Sequence, residues 1–310
     1  DTWLFEGTIK DNIKYGKNKR KIVIDPGNGA TALLVRKVFD TSFCHPIYIN
    51  EIMDGNFPNH HPDPAVKENM VQLQKAVKDN KADFGVAYDG DGDRIGVVTD
   101  TGEILPIEYL MIIFISDMYQ RVPKKSFLYD IKCSKSLDDY IRMLGGNPIM
   151  YRTGASYTQY KVHTDDLPFG GEYSGHLYFR DKDADCGSAI YATLRLLEIM
   201  SKTNEKLSKI IKDFPKYYAT EEIKIPVSDA NKFQVVEKVK EYATSMNYPI
   251  SDIDGVRVTY TNGWALVRAS NTGPNVTFRG EATTEAGVKA LENIYIPLIQ
   301  KNSENIETLW

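Results

Sequence analysis

Short apolar segments that favour strands alternate with amphipathic segments that favour helices over the first two thirds of the chain. The run KIVID at 21–25 reads as a strand, and the amphipathic segment 66–80 is followed by the apolar run ADFGVAYD at 82–89. A similar order of elements recurs after residue 104. Alternation of this kind is typical of α/β layers. We therefore predict two consecutive α/β domains with mixed, largely parallel sheets, at residues 1–103 and 104–215.

The last third of the chain has a different order of elements. A helical pattern at 231–246 comes first, two strand patterns and a loop follow, and a second helical pattern covers 284–301. The strand patterns are GVRVTY and WALVRAS, and the stretch NVTFRGEA comes before the second helix. Grouped strands with helices before and after them indicate an α+β arrangement. We predict a third domain of this type at residues 216–310.

The composition is that of an ordinary globular protein and argues against two classes of partner. The chain is 42% hydrophobic and 26% charged, so it can bury apolar cores. Its net charge of −4 gives no electrostatic reason to bind nucleic acid or an anionic membrane. The three cysteines are scattered and form no CxxC pair, which favours a reducing compartment. We therefore expect a cytoplasmic location.

Three aspartates alternate with glycines in DGDGDR, where the apolar run at 82–89 ends. Asp89, Asp91 and Asp93 place three like charges close together, which is destabilising unless a cation lies among them. The intervening glycines allow a turn tight enough for the three carboxylates to converge. Three carboxylates suit Mg²⁺, which takes oxygen ligands and keeps several of its waters. The pattern therefore indicates a magnesium site.

Three other interpretations of this loop are less consistent with the residues. A calcium-binding EF-hand loop needs glycine at its sixth position and flanking helices, whereas Arg94 and strands occur here. An aspartate-nucleophile phosphatase would use Asp89 as nucleophile and Asp91 as acid/base with Mg²⁺, but expects Thr or Val in place of Asp93. A solvated acidic turn needs only one or two such residues. The phosphatase stays open as an alternative.

Two further polar loops follow along the chain. GGEYSGH contains Glu172, Ser174 and His176, a hydrogen-bonding set that suits sugar hydroxyls, although His176 taken alone would more often be a structural histidine. RASNTGPNVTFRGEA combines arginines, hydroxyls and a Gly-Pro turn, which fits a phosphate-binding loop as well as a polar hairpin. Its candidate phosphate-binding residues are Arg268, Ser270, Asn271, Thr272, Gly273 and Arg279.

Taken together, the three loops resemble the α-D-phosphohexomutase superfamily, in particular the phosphomannomutase/phosphoglucomutase family. DGDGDR resembles the family's metal loop, GEYSGH its sugar-recognition loop and RASNTGPNVTFRGEA its phosphate-binding loop. Further matches are DPGNGA at 25–30, DGNFPNHHPDP at 54–64 and DIKCSKSL at 130–137, so the resemblance covers essentially the whole chain. GGEYSGHLYF is more similar to the mannose/glucose branch than to the glucosamine-phosphate branch.

The resemblance implies a role for each matching residue. The three aspartates would hold Mg²⁺, and Arg94 would face the transferring phosphoryl group. Lys132 and His176 occupy positions of candidate proton-transfer groups, Glu172 and Ser174 would contact sugar hydroxyls, and the phosphate-binding loop would hold the phosphate that does not react. The implied activity is interconversion of hexose 1-phosphate and hexose 6-phosphate, of mannose or glucose, through hexose 1,6-bisphosphate.

Two features depart from the family's pattern. Ala155 occurs where relatives often carry His, so one active-site contact is expected to be absent. The family's catalytic serine lies in a Thr-Ala-Ser-His-Asn-Pro type loop of an N-terminal domain, and these 310 residues contain no such stretch. We therefore expect the chain to start at the family's second domain, and to be inactive without that serine domain. A non-catalytic module that binds sugar phosphates is the alternative.

Overall fold

The computed structural model describes residues 18–40, 43–182, 185–270 and 273–307. The first 17 residues of the first predicted domain, and the candidates Asn271 and Thr272, lie outside the described residues. The described residues fall into two compact units. Among the described residues, the first unit takes in those within 18–129, Tyr140–Ile149 and Gly154–Phe214, and the second takes in those within Asp130–Asp139, Met150–Thr153 and 215–307.

The first sheet of the first unit has five strands in the order β2-β1-β3-β4-β5. The pairs β2–β1 and β1–β3 are parallel, whereas β3–β4 and β4–β5 are antiparallel. The stretch DGDGDR at 89–94, called the aspartate loop from here on, lies at the tip of the antiparallel hairpin β3–β4, because β3 ends one residue before Asp89. The strands are β1 (Arg20–Asp25), β2 (Cys44–Tyr48), β3 (Phe84–Tyr88), β4 (Ile95–Thr99) and β5 (Ile104–Leu105).

A helix packs across this sheet through an apolar stripe. Leu73 and Val77, four residues apart on the helix Val71–Asn80, are fully buried against strand residues such as Val23 and Val98. The predicted single helix at 66–80 is confirmed except that its first turn is a 3-10 helix, Lys67–Met70. The helical pattern at 31–39 likewise divides into a 3-10 helix, Ala30–Leu33, and an α-helix, Val35–Phe39.

The second sheet follows with the strand order β10-β9-β8-β6-β7. Its strands β6 and β8 are parallel, and β8, β9 and β10 form an antiparallel run. The stretch GGEYSGH at 170–176, called the sugar loop from here on, includes the turn between β8 and β9. The strands are β6 (Ser126–Asp130), β7 (Asn147–Tyr151), β8 (Phe169–Gly171), β9 (Leu177–Phe179) and β10 (Cys186–Gly187), and the helices are Ile107–Tyr119, Lys135–Met143, Ala155–Thr164, Ala189–Ser201 and Leu207–Ile210.

The second unit is built on a six-stranded sheet in which every recorded strand pairing is antiparallel. The strand order is β11-β16-β15-β14-β13, and β12 also pairs with β16. The strands are β11 (Tyr218–Ala219), β12 (Ile223–Pro226), β13 (Ile250–Ser251), β14 (Val256–Tyr260), β15 (Gly263–Ala269) and β16 (Asn275–Ala282), and the helices are Lys232–Ser245 and Glu285–Glu307.

Both faces of this sheet are buried, and the two faces differ in chemistry. Side chains alternate between the faces along each strand. Val256, Val258 and Val267 lie on the face whose core includes Val235 and Tyr295 from the two helices. The opposite face carries Arg257, Trp264, Leu266, Arg268 and Arg279, none of which is more than 8% exposed.

The predicted order of two mixed α/β sheets before an α+β part is confirmed. The described pairings of the two mixed sheets are not largely parallel, because β3–β4, β4–β5, β8–β9 and β9–β10 are antiparallel. Two-residue strands such as β5 and β11 were not predicted, because so short a segment shows no alternation. The predicted domain boundaries at 103/104 and 215/216 stay a prediction. Among the helices within the described ranges, none is both long enough and apolar enough to cross a bilayer.

Candidate active site

The aspartate loop brings its three carboxylates together at the tip of the β3–β4 hairpin. One oxygen from each of Asp89, Asp91 and Asp93 lies within 4.8 Å of the others. Asp89 is buried, Asp93 is half-buried and Asp91 is exposed, so the group opens toward solvent on one side. Oxygens that share one Mg²⁺ at about 2.1 Å lie roughly 3–4 Å apart, so only a small shift would be needed. The donor set therefore fits a hard divalent cation.

The backbone of this loop is held from two sides within the first unit. The amide of Ala30 donates to the carbonyl oxygen of Gly90 at 2.8 Å, and the amide of Ala189 donates to that of Gly92 at 3.0 Å. Ala189 is the first residue of the helix Ala189–Ser201. The Asp89 carboxylate accepts from the amide of Gly92 at 3.1 Å. The loop is therefore a fixed turn rather than an acidic tail.

Gly92→Ala is expected to lower the free energy of unfolding by about 1–3 kcal/mol, because Gly92 adopts a left-handed backbone with φ of +84°. An added Cβ would also lie 2.2 Å from the Cγ2 atom of buried Thr31. Denaturant unfolding measures the change. Gly90→Ala is the matched control, because the nearest atom to its new Cβ is 3.6 Å away. Equal losses in both variants would contradict the strain argument.

Arg94 ties the aspartate loop to the loop at 54–64. Its Nε atom donates to Asp89 Oδ2 at 2.8 Å, and its Nη1 atom donates to Asp63 Oδ1 at 3.1 Å. Burial alone would raise the pKa of Asp89, but hydrogen bonds and charge from Arg94 outweigh it and lower that pKa. Sequence reasoning had not assigned Asp63, although it lies in the matched stretch DGNFPNHHPDP.

Crowding of like charge is visible at Asp93. Burial and the neighbouring Asp89 raise the pKa of Asp93, against the lowering effect of His176. A bound divalent cation would remove this repulsion. The electrostatics of the loop therefore favour a cation among the three carboxylates.

A second buried pair organises the loops at 25–30 and 54–64. Asp25 is fully buried and accepts hydrogen bonds from the amide of Gly27 at 2.9 Å and from Asn50 Nδ2 at 3.1 Å. His60 Nε2 lies 3.0 Å from Asp25 Oδ2, and this hydrogen bond raises the pKa of His60. The two matched stretches DPGNGA and DGNFPNHHPDP are therefore joined, which spacing along the chain could not show.

The sugar loop meets the aspartate loop through His176. The Nε2 atom of His176 lies 2.8 Å from Asp93 Oδ2, and its Nδ1 atom lies 3.0 Å from Ser174 Oγ and 3.4 Å from Glu172 Oε2. The amide of Ile95, next to Arg94, donates to the carbonyl oxygen of Gly175 at 3.2 Å. Residues predicted from two separate loops thus form one cluster in the first unit.

The charges in this cluster favour a protonated imidazole. Burial would lower the pKa of His176, but hydrogen bonding and charge from Glu172 and Asp93 outweigh it and raise that pKa. Glu172 is 2% exposed, and its Oε1 accepts from the amide of Gly154 at 2.9 Å and from Thr158 Oγ1 at 2.6 Å. Sequence reasoning had missed Thr158. Thr158 lies in the first turn of the helix that begins at Ala155. The carbonyl oxygen of Ala155 accepts from the hydroxyl of Tyr178.

The predicted phosphate-binding loop belongs to the second unit. Arg268 is 8% exposed, and its Nη2 atom lies 3.1 Å from Asp254 Oδ2. Lys232, which was not predicted as a site residue, donates from Nζ to the carbonyl oxygen of Ser270 at 2.7 Å and to that of Gly273 at 3.4 Å. This lysine therefore links two residues of the predicted phosphate-binding loop.

Lys132 and Arg279 also belong to the second unit and contact each other. The Nη1 atom of Arg279 donates to the carbonyl oxygen of Lys132 at 2.6 Å, and Lys132 Nζ lies 3.2 Å from Glu222 Oε1. Both Lys132 and Arg279 are buried. The assignment of Arg279 to the phosphate stays a prediction, and the structure places its guanidinium on the main chain of Lys132.

The predicted site residues therefore divide between the units, each taken by itself. The first unit groups Asp89, Asp91, Asp93, Arg94, Glu172, Ser174 and His176. The second unit contains Lys132, Arg268, Ser270, Gly273 and Arg279.

Three family models match successive parts of the chain. Residues 6–102 match "Phosphoglucomutase/phosphomannomutase, alpha/beta/alpha domain II", and residues 107–218 match domain III of the same description. Residues 222–294 match "Phosphoglucomutase/phosphomannomutase, C-terminal domain". The matches occur in the order of the aspartate, sugar and phosphate-binding loops.

Individual proteins show the same relationship. A phosphomannomutase/phosphoglucomutase from Pseudomonas syringae pv. tomato is 37% identical over 299 residues, which cover 96% of this chain and 64% of that protein. A crystal structure of a phosphoglucomutase/phosphomannomutase family protein from Burkholderia thailandensis has a TM-score of 0.86 at 32% identity, covering 95% of this chain and 63% of that one.

A more distant structure shares the fold. It is Aspergillus fumigatus N-acetylphosphoglucosamine mutase in complex with GlcNAc-6P and magnesium, with a TM-score of 0.67 at 15% identity, covering 96% of this chain and 68% of that one.

The chain spans slightly less than two thirds of the length of the curated relatives that it matches. Because successive models of one family cover most of the chain, the chain belongs to the phosphoglucomutase/phosphomannomutase family.

Proposed function

We propose that the chain carries the metal-binding, sugar-binding and phosphate-binding parts of a phosphohexomutase. The reaction would interconvert hexose 1-phosphate and hexose 6-phosphate through a bisphosphorylated sugar, with mannose and glucose phosphates as substrates. The observation that carries the proposal is the link between the aspartate loop and the sugar loop through Asp93, His176 and Glu172. Family membership supports the same reaction class.

The aspartate loop would supply the electrostatic part of catalysis. Asp89, Asp91 and Asp93 would hold Mg²⁺, which when bound would neutralise charge on a phosphoryl group. Arg94 is fixed at Nε by Asp89 and at Nη1 by Asp63, so its guanidinium is ordered at the edge of the loop. An ordered cation stabilises the charge spread over phosphoryl oxygens during transfer.

His176, Ser174 and Glu172 would bind the sugar and move a proton. The raised pKa of His176 favours the protonated imidazole, which can donate a proton or a hydrogen bond to a sugar oxygen. Glu172 is held at Oε1 by Gly154 and Thr158, which orients the carboxylate. Its Oε2 and the Ser174 hydroxyl, which both contact His176, would accept further hydrogen bonds from sugar hydroxyls.

The phosphate that does not react would be bound in the second unit. Arg268 is the main candidate, together with Ser270, Gly273 and the residues between them. Arg268 is already ordered by Asp254. A guanidinium can form two parallel hydrogen bonds to a phosphate, which gives both affinity and orientation.

The nucleophile of this reaction is proposed to be a phosphoserine outside these 310 residues. None of the serines in the chain lies in a stretch like the family's serine loop. These residues alone are therefore proposed to be inactive, with a serine-bearing domain as the necessary partner. Their cytoplasmic location stays a prediction.

Arg268→Ala is expected to weaken binding of glucose 1-phosphate by about 10–100-fold, because a hydrogen bond to a charged group contributes about 1.5–3 kcal/mol. Titration calorimetry of the 310-residue chain measures the affinity. Lys238→Ala is a matched control, since Lys238 is an exposed cation of the same unit that pairs with Glu241 on its own helix. Equal affinities in wild type and Arg268→Ala would remove Arg268 from the proposed phosphate site.

A further inference from the structure

Two buried arginines of the second unit lie in one row across three strands. Arg257 on β14 is opposite Leu266 on β15, and Leu266 is opposite Arg279 on β16. Both arginines project from the face that the two helices do not cover, and they are 7% and 4% exposed. Two guanidinium groups buried this deeply would be costly without hydrogen-bond acceptors.

The acceptors are the main-chain carbonyl oxygens of three successive residues. The Nη1 atom of Arg257 donates to the carbonyl oxygen of Ile131, and also to that of Cys133 at 3.3 Å. The Nη1 atom of Arg279 donates to the carbonyl oxygen of Lys132 at 2.6 Å. The two arginines therefore hold three successive carbonyl oxygens, that of Lys132 and those of its two neighbours.

Trp264 and Glu281 complete the support of this segment. The guanidinium carbon of Arg257 lies 3.9 Å from the centre of the Trp264 ring, which fixes the orientation of that guanidinium. Trp264 Nε1 donates to Glu281 Oε1 at 2.7 Å, and the same oxygen accepts from the amide of Lys135 at 2.8 Å. Lys135 begins the helix Lys135–Met143, so Glu281 also caps a helix N-terminus.

The side chain of Lys132 is held at its other end. Its Nζ atom lies 3.2 Å from Glu222 Oε1, one residue before β12. The main chain and the ammonium group of Lys132 are therefore both positioned by residues of the second unit's sheet region. Such double support is what a group needs when its charge must be placed to a fraction of an ångström.

We propose that Arg257 and Arg279 are positioning residues for Lys132, acting through the carbonyl oxygens of residues 131–133. Arg279 then contributes to the reaction by placing Lys132 rather than by binding phosphate. The role of Lys132 in the reaction rests on the proposed function, whereas its placement does not. Arg257, Trp264 and Glu281 would then serve the reaction by supporting Lys132, although none of them is assigned a contact with substrate.

Reductive methylation of lysines with formaldehyde and a borohydride, followed by mass spectrometry, tests this placement on the 310-residue chain. Arg257→Met and Arg279→Met are each expected to raise the methylation rate of Lys132 roughly tenfold, since a lost charged hydrogen bond shifts local opening by about that factor. Lys232 is the internal control, because it is also 8% exposed and belongs to the same unit but not to the segment 130–139. Its rate should not change.

Two further variants keep the test decisive where a methionine variant fails to fold. Arg257→Lys keeps one charged donor and should give an intermediate Lys132 rate, and Glu222→Gln should raise the Lys132 rate without loss of thermal stability. Unchanged Lys132 rates in the Arg257 and Arg279 variants would overturn the proposal. Equal rises at Lys132 and Lys232 would also overturn it, because they would show general loosening.

The same assay separates this proposal from the proposed function. Glucose 1,6-bisphosphate is added to the wild-type chain as a probe. Protection of Lys132 from methylation would support its role at the substrate, and absence of protection would count against that role alone. The rates without the probe still decide whether Arg257 and Arg279 position Lys132.

Discussion

The 310 residues by themselves are expected to give no interconversion of glucose 1-phosphate and glucose 6-phosphate. Phosphoryl transfer of the proposed type needs a residue that alternately donates and accepts the phosphoryl group. None of the groups proposed above, from the three aspartates to Arg268, is assigned to carry the phosphoryl group; they bind, stabilise charge or move a proton. With the same chain extended through a family serine loop, turnover at typical enzyme rates of about 1–1,000 per second is expected.

A coupled assay that detects glucose 6-phosphate, with Mg²⁺ and activating glucose 1,6-bisphosphate, measures this contrast. Robust turnover by the 310-residue chain would show that the missing-serine argument is wrong. Release of inorganic phosphate by that chain would instead favour the aspartate-nucleophile phosphatase. Sugar-phosphate binding without turnover in the extended chain would favour the non-catalytic binding module.

Asp91→Ala is expected to reduce Mg²⁺ affinity by at least about 10–100-fold. Removal of an outer-shell partner of a metal already causes a loss of this size, and Asp91 is proposed as a direct ligand. Asp91 is exposed, so its removal should leave the fold intact. The wild-type affinity is itself expected to be weak, because the loop supplies three ligands and Mg²⁺ gives up its waters reluctantly. Calorimetry at millimolar Mg²⁺ measures both values.

Asp79→Ala provides the matched control for the metal site. Asp79 is an exposed carboxylate of the same unit and pairs with Lys75 on its own helix. This variant should bind Mg²⁺ as the wild type does and should unfold at a similar denaturant concentration. Equal Mg²⁺ affinities in wild type and Asp91→Ala would exclude the aspartate loop as the metal site.

Some elements were predictable because their information is local. The helix Val71–Asn80 lies within the amphipathic segment predicted at 66–80, and β15, Gly263–Ala269, overlaps the predicted strand WALVRAS. The aspartate loop was also predictable, since its three carboxylates and two glycines lie within five residues. A short segment with a strong period or a dense motif needs no knowledge of distant contacts.

Arg257 shows its importance only in the fold. It follows Val256 in a strand pattern, whereas Arg268 and Arg279 were already candidates because they lie in the phosphate-binding loop. The two-residue period of a strand shows which side chains share a face, but it does not show whether that face is buried. The sheet buries both faces, so these arginines had to find acceptors.

The sequence by itself determined the α/β and α+β order, the aspartate loop and the family resemblance, because each rests on local period or motif. Only the tertiary structure decided that His176 joins Asp93 to Glu172, that Asp63 orders Arg94, and that Arg257 and Arg279 hold the segment around Lys132. The physical reason is that a buried polar group must be satisfied, and its partner is often remote in sequence. Arg279 and Lys132 are 147 residues apart.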